Sequence, residues 1–295
     1  SPTFDAYQPL LEDAALTQLF HRSGQLFLYR NRRDMEKDTL THELRSKSGA
    51  SIEFLNSNEI REIEPAITPI FEAGYLMPDN GHCTDPFGLA SGLVKMFVNK
   101  GGVLVKADVL DFMFDADGVS GLSTSTGTLN TRRVVIAAGI WSKTLCERLG
   151  LPVPLESHRG YHATIENSNI SLRHMCFPVD YKFAITPMSM GLRIAGTVEF
   201  AGLGDPPNYE RVDKMIQSCH TILNGLNSEH HTRWMGHRPC LPDSLPIIGE
   251  SGKHPNIFFA FGHGHQGLVG ASQTGKVIDE IVRGVVPSMN LSPFR

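Results

Sequence analysis

Apolar residues recur along this chain in three rhythms, and each rhythm predicts a different element. In "TDPFGLASGLVKMFVNKGG", Leu89, Leu93 and Phe97 fall about one helical turn apart. Thr84 or Asp85 is the expected cap, Pro86 suits the first helical position, and Gly101 is the stop. A second helix, over "SNEIREIEP", should end before Pro65, and a third should run from Tyr209 to about Leu223. Residues 10–30 read as a helix ending at Gly24 followed by the strand "QLFLYR". "VLVKADVLDFMFD" reads as a strand, an uninterrupted apolar run marks a buried parallel strand in "RRVVIAAG", and the apolar run "IFFAF" reads as the final strand. Strict alternation appears in "YHATIE", "YKFAITP" and "GLRIAGTVEF", which read as antiparallel strands. Turns are expected at Asp117-Gly118 and Met190-Gly191.

Together these patterns predict a mixed α/β and α+β protein of two interleaved domains. Residues 1–77 and 151–235 would form an antiparallel-sheet domain with helices, and residues 78–150 and 236–295 a Rossmann-like remainder. Composition narrows the function classes: 41% hydrophobic and 20% charged residues are those of a globular protein. A formal net charge of −4 leaves no electrostatic footprint for nucleic acid. No apolar run is long enough to cross a bilayer, and "SPTFDAYQPL" lacks the regions of a signal peptide. Five scattered cysteines without a C-x-x-C pair point to a reducing compartment, hence a cytoplasmic setting, and away from structural zinc.

The stretch "NIFFAFGHGHQGLVGASQTGKVIDEIV" carries G-x-G-x-x-G at Gly262, Gly264 and Gly267 between an apolar strand and a helix pattern. That context suggests a dinucleotide fingerprint, but no second strand follows and no acidic residue comes after Glu280 to bind a ribose. The pyrophosphate reading therefore fails. The glycines either make a plain packing turn or admit a flat ligand against the backbone and the helix N-terminus. His263 and His265 have metal-ligand spacing, but no neighbouring Asp, Glu or Cys completes a set, so no metal is expected.

Three segments change these odds: "RRVVIAAGIWS", "WMGHRPCLPDSLPIIG" and "FFAFGHGHQGLVGASQTGKVIDEIVRG". With "GYLMPDNGHCTDP", "RGYHATI" and "YKFAITPMSMGLRIAGTVEFAG", they resemble the D-amino-acid oxidase family of FAD-dependent oxidoreductases. The likeness is greatest to bacterial D-amino-acid dehydrogenases and glycine oxidase-like proteins, and covers nearly the whole chain. It implies that the late glycine loop, His263, Gly264, His265, Gln266, Gly267 and Leu268, lies along the isoalloxazine of FAD. Val109 resembles the residue that meets the adenine, and Ala138, Gly139 and Trp141 the turn that closes over the cofactor. Arg238 matches the arginine that holds the substrate carboxylate, a role the guanidinium fork suits. His265 has a secondary role in the pocket, and Tyr161 and Tyr181 are candidate substrate contacts or core tyrosines. Cys240 is off the position used for covalent flavin attachment, so non-covalent FAD is expected.

The implied reaction is oxidation of an amino acid, a D-amino acid by the nearest resemblance. Hydride transfer to flavin gives an imino acid, which water hydrolyses to a keto acid. Oxygen or a quinone would be the electron acceptor; peripheral association with the inner face of the membrane and homo-oligomerisation are left open. Alternatives are a secondary-amine oxidase or dehydrogenase acting on sarcosine, proline or hydroxyproline, and a non-catalytic binding subunit. The family's N-terminal strand and its G-x-G-x-x-G are missing, so the chain is expected to be a fragment that holds FAD weakly or not at all by itself.

Overall fold

The computed structural model describes residues 2–294. Helix α1 (Pro2–Asp13) is followed by strands β1 (Phe20–His21) and β2 (Gln25–Tyr29), then helices α2 (Arg32–Lys37) and α3 (Thr39–Lys47). Strand β3 (Glu53–Asn56), helix α4 (Ser57–Ile63), strands β4 (Ala73–Met77) and β5 (His82–Cys83) and helix α5 (Pro86–Asn99) come next. A hairpin region, β6 (Val109–Asp115), β7 (Gly118–Thr124) and β8 (Gly127–Asn130), leads to β9 (Val134–Ile136) and α6 (Ser142–Arg148). Strands β10 (Glu156–Ile165), β11 (Met175–Pro178), β12 (Phe183–Met188) and β13 (Gly191–Phe200) precede α7 (Glu210–Ile222) and β14 (His231–Cys240). The chain closes with β15 (Ile247–Glu250), β16 (Ile257–Phe261) and α8 (Gly267–Val282).

An eight-stranded sheet in the order β14-β10-β13-β12-β11-β2-β4-β3 dominates. All its pairings are antiparallel except β11 on β2. Alternation along the strands sends Ala163, Ile165, Ile185 and Ile194 to one face, where they bury against Val212, Ile216 and Ile222 of α7. The opposite face is the one that matters for chemistry. A smaller sheet, β15-β16-β9, pairs β16 parallel to β9. Ile257, Phe259 and Phe261 join a core with Ile136 and Cys146, while Phe258 packs with Val277 and Ile278 of α8. Both sides of β16 are thus covered, which is why its sequence is apolar throughout.

Local chemistry explains several boundaries. Asn56 and Glu59 close a reciprocal capping box on α4, and Asp85 accepts a hydrogen bond from the Gly88 amide ahead of Pro86. The turns at Gly118 and Gly191 need the positive φ they have, +111° and +123°.

Four expectations are corrected. The first helix is Pro2–Asp13, not one ending at Gly24; Phe4, Tyr7 and Leu11 bury one face of it despite Pro9 within it. Residues 103–108 form no strand, for Val103 and Leu104 find no partner and stay exposed. The parallel strand β9 is only three residues long, and Val135 in it is 42% exposed because one neighbour, β16, is all it pairs with among the described residues. Phe97 of the α5 stripe is also exposed.

Candidate active site

A cavity of about 1110 Å³ lies over the face of the large sheet that the core does not use. Its walls come from β12, β13 and β14, from the loop preceding α8, and from Phe4 of α1. Arg238 is its central charged group. The side chain leaves β14 and crosses β10 at Gly160, where a Cβ would lie 2.2 Å from Nη2 and 2.3 Å from Cζ. Glycine at 160 is therefore what lets the guanidinium lie flat on the sheet. The far end is fixed by Nη1, which donates to the carbonyl of Thr197 at 2.9 Å. Among the described residues no carboxylate pairs with Arg238. Burial lowers its pKa from the ordinary arginine value, yet an arginine stays charged in any case.

Arg159, one residue before Gly160, shows the contrast. It is fully buried on the opposite side, donating to the carbonyls of Gly202, Asp205 and Pro206 and pairing with Glu199. Both of its terminal nitrogens are spent, chiefly in holding a loop. Those of Arg238 are mostly unspent.

The strand opposite is irregular at the same place. Arg159 pairs with Glu199 and Tyr161 with Gly196, so Thr197 and Val198 together face Gly160 alone. This β-bulge aims two carbonyls at cations: that of Thr197 at Arg238, and that of Val198 at Arg211, 3.3 Å away. A second glycine contact supports the floor beside it, where Trp234 lies over Gly236 and stacks on His162 with ring centroids 4.9 Å apart. Burial, then the charge of Arg193, pulls His162 down to about 4, so it is neutral at pH 7.

The glycine loop divides between two spaces. His265, Gln266 and Leu268 line the large cavity with Arg238. His263 and Gly267 instead line a separate groove of about 330 Å³ between β9, β16 and α8, where His263 Nε2 lies 2.9 Å from Thr274 Oγ1. The two histidines of the H-x-H pair thus line different spaces. Gly264, between them, has φ +55°. Tyr7 reaches the loop from α1, its hydroxyl donating to the Leu268 carbonyl at 2.7 Å. The turn holding Ala138, Gly139 (φ +56°) and Trp141 packs on β14, and Trp141 sits edge-on to His237 at 6.2 Å. Val109 opens β6, paired with Thr124, and is not part of the cavity wall.

Of the two readings open for Tyr161 and Tyr181, the structure places both against the core and neither in the cavity wall. Tyr161 is on the core face of β10, its hydroxyl held by the Glu199 carboxylate and the Asn208 amide. Tyr181 packs against the same core with its hydroxyl 3.5 Å from Thr221. Strand parity decides this: a residue next to Gly160 must point the other way from the Arg238 side. Thr197, Gly160 and Lys182 were not singled out from sequence, although "RGYHATI" and "IAGTVEF" contain two of them.

The loop residues fit a flat, electron-rich ligand. No side chain caps the start of α8, and its N-terminal end, entered through the turn at residues 264–266, carries the positive end of the helix dipole. At Gly267 a Cβ would meet nothing closer than His263 at 3.9 Å, so the protein itself does not demand glycine there.

Comparison with known proteins accords with this arrangement. Residues 2–281 match the family model DAO, FAD dependent oxidoreductase. A D-amino-acid oxidase of Bradyrhizobium diazoefficiens is 34% identical over 292 residues, which cover 98% of this chain and 69% of that protein. Among solved structures, glycine oxidase from Geobacillus kaustophilus superposes with a TM-score of 0.86 at 22% identity, covering 98% of this chain and 80% of the other. L-proline dehydrogenase from P. horikoshii gives 0.81 at 21% identity, covering 97% and 78%. Another structural neighbour, an L-α-glycerophosphate oxidase from Mycoplasma pneumoniae with a TM-score of 0.72 at 18% identity, has FAD bound. A flavin-type glycine loop, a cavity beside it and a match across almost the full length agree: the chain belongs to the DAO family of FAD-dependent oxidoreductases.

Proposed function

We propose that this protein oxidises the α-carbon–nitrogen bond of an amino acid, with Arg238 as the carboxylate clamp. The observation that carries the reading is the guanidinium itself: half-buried in a cavity, tied at one nitrogen to Thr197, and paired with no carboxylate of its own chain. Holding an uncompensated cation there is costly unless an anion arrives, and a carboxylate matches the fork in two parallel bonds.

FAD supplies the chemistry, accepting two electrons and a proton as hydride. Residues 264–268 would hold its ring, and Ala138, Gly139 and Trp141 would close beside it. The remaining work belongs to the chain. Arg238 fixes the carboxylate and so the direction of Cα–H, and Phe183, Val198 and Val269 exclude water from the reacting end. The α-amine gives up a proton to become the imine, and water then hydrolyses the imino acid to a keto acid and ammonia. Among the described residues no aspartate or glutamate lines the cavity, so no carboxylate base faces the amine, consistent with an amine that binds neutral. The relative from Bradyrhizobium favours a D-amino acid as substrate. The test is a screen of D- and L-amino acids and of sarcosine and proline, using flavin-loaded protein and an artificial electron acceptor. Turnover of amino acids that is lost in Arg238→Leu supports the reading; no turnover, or turnover indifferent to Arg238, sinks it.

A further inference from the structure

Three cationic side chains line the cavity beside the bulge, and only two are tied to it. Arg238 takes the Thr197 carbonyl, and Arg211 takes that of Val198 while also approaching Glu199 at 3.5 Å. The third, Lys182, has no hydrogen-bond or ion-pair partner for its ammonium group among the described residues. Lys182 and Thr197 flank the pair Phe183–Gly196, where β12 meets β13. Both are non-glycine residues in the left-handed region, at φ +57° and +58°. A β-branched residue there is a genuine outlier, and such strain persists only where surrounding structure imposes it. The Thr197 hydroxyl is moreover buried and bonded to nothing. A buried hydroxyl without a partner is a standing cost that a ligand can offset.

The rest of the wall points the same way. No aspartate or glutamate lines the cavity, while Lys182, Arg211 and Arg238 all do, joined by His82, His158 and His265. Arg211 is answered by Glu199, so one carboxylate on Arg238 leaves the Lys182 ammonium uncompensated. We infer that the substrate is a dicarboxylic amino acid, whose side-chain carboxylate is taken by the Lys182 ammonium and the Thr197 hydroxyl. The inference rests on the reading of Arg238 given above. The guanidinium ends at the Thr197 carbonyl and the Lys182 backbone lies one strand further along, about 5 Å in a sheet, so the lysine side chain has the reach to meet the distal carboxylate of an aspartate or glutamate held by Arg238. A Thr hydroxyl reaches the cavity side by moving between staggered positions about Cα–Cβ.

The experiment compares kcat/KM for aspartate and glutamate with that for asparagine and glutamine, both enantiomers, on flavin-loaded protein. Acids should exceed amides by roughly tenfold or more, the scale of one hydrogen bond to a charged group. The preference should shrink as salt is raised, because the Lys182 site is open to solvent. Lys182→Met and, independently, Thr197→Val should bring the acid-to-amide ratio towards one, and Thr197→Ser should restore it. Succinate should perturb the flavin absorbance at lower concentration than butyrate, a readout that needs no turnover, and Lys182→Met should erase that difference. Amides oxidised as well as acids, or a ratio unmoved by both variants, would overturn the inference while leaving Arg238 in place. If Arg238→Leu is without effect on any amino acid, the reading of the function fails instead.

Discussion

Gly160→Ala tests the architecture of the site without replacing any group that meets substrate. The added Cβ would lie 2.2 to 2.8 Å from three guanidinium atoms of Arg238, whereas ordinary contact begins at 3.4 Å. The guanidinium must therefore retreat by about 1.2 Å, and its hydrogen bond to Thr197 breaks or tilts as it goes. The obstacle is the end of a flexible side chain, so the sheet should survive. A misplacement of about 1 Å in a substrate-positioning group costs on the order of a hundredfold in rate. The expected result is a fall in kcat/KM of roughly that size, weaker binding of simple carboxylate inhibitors, and a melting temperature close to that of the parent. Gly252→Ala is the control, since a Cβ there meets nothing within 4 Å. Unchanged kinetics and inhibitor affinity in Gly160→Ala would show that the position of Arg238 on the sheet is irrelevant to catalysis.

Other expectations are shorter. Gly264→Val places a β-branched residue at φ +55°, a conformational cost of about 1–2 kcal/mol, and should lower flavin occupancy or shift the flavin spectrum; normal FAD binding would reduce the loop to a packing turn. His162 is held near 4 by burial and by Arg193, against 6.5 when free, so the unfolded chain takes up a proton first as pH falls. Its contribution to stability is complete above about pH 6.5 and is lost towards pH 4; His162→Gln should narrow the gap between urea midpoints at pH 7 and pH 4.5, and an identical gap would refute the assignment. The open edge of β9 should promote self-association of this chain, and Val135→Lys should reduce it in sedimentation measurements; equal association would locate the contact elsewhere.

Residues whose structure is set by near neighbours were readable in advance. The Asp85–Pro86 helix start, the glycine turns at 118 and 191, and the alternation of β10, β12 and β13 all depend on a few adjacent positions. The family motifs added Arg238 and the 263–268 loop, and the structure brings Arg238, His265, Gln266 and Leu268 into one cavity. What sequence could not supply depends on residues far apart. Helix α1 forms over Pro9 because Tyr7 and Leu11 bury and Tyr7 binds the carbonyl of a residue 261 positions away, a gain that local propensity does not contain. The segment 103–108 has strand composition but no edge to pair with, and β propensity without a partner does not make a strand.

The same distinction bears on which arginine is functional. By composition alone Arg159 and Arg238 are equivalent, and Arg159 is the more deeply buried of the two. Burial is a poor criterion here, because a buried cation with its donors spent on loop carbonyls is structural, however perturbed its surroundings. The informative quantity is the unused hydrogen-bonding capacity that faces a cavity. Arg238 has it, and the hydroxyl of Thr197, buried without a partner on its strained bulge, gains it by a turn about Cα–Cβ. A single extra residue in β13 creates both conditions, by turning one carbonyl onto the guanidinium and leaving one hydroxyl without a partner. Pairing register is settled by strands that lie about 40 residues apart in the chain for β10 and β13, and about 80 for β10 and β14. That is why the chemistry of the motif was legible, while the device that positions it had to be seen in three dimensions.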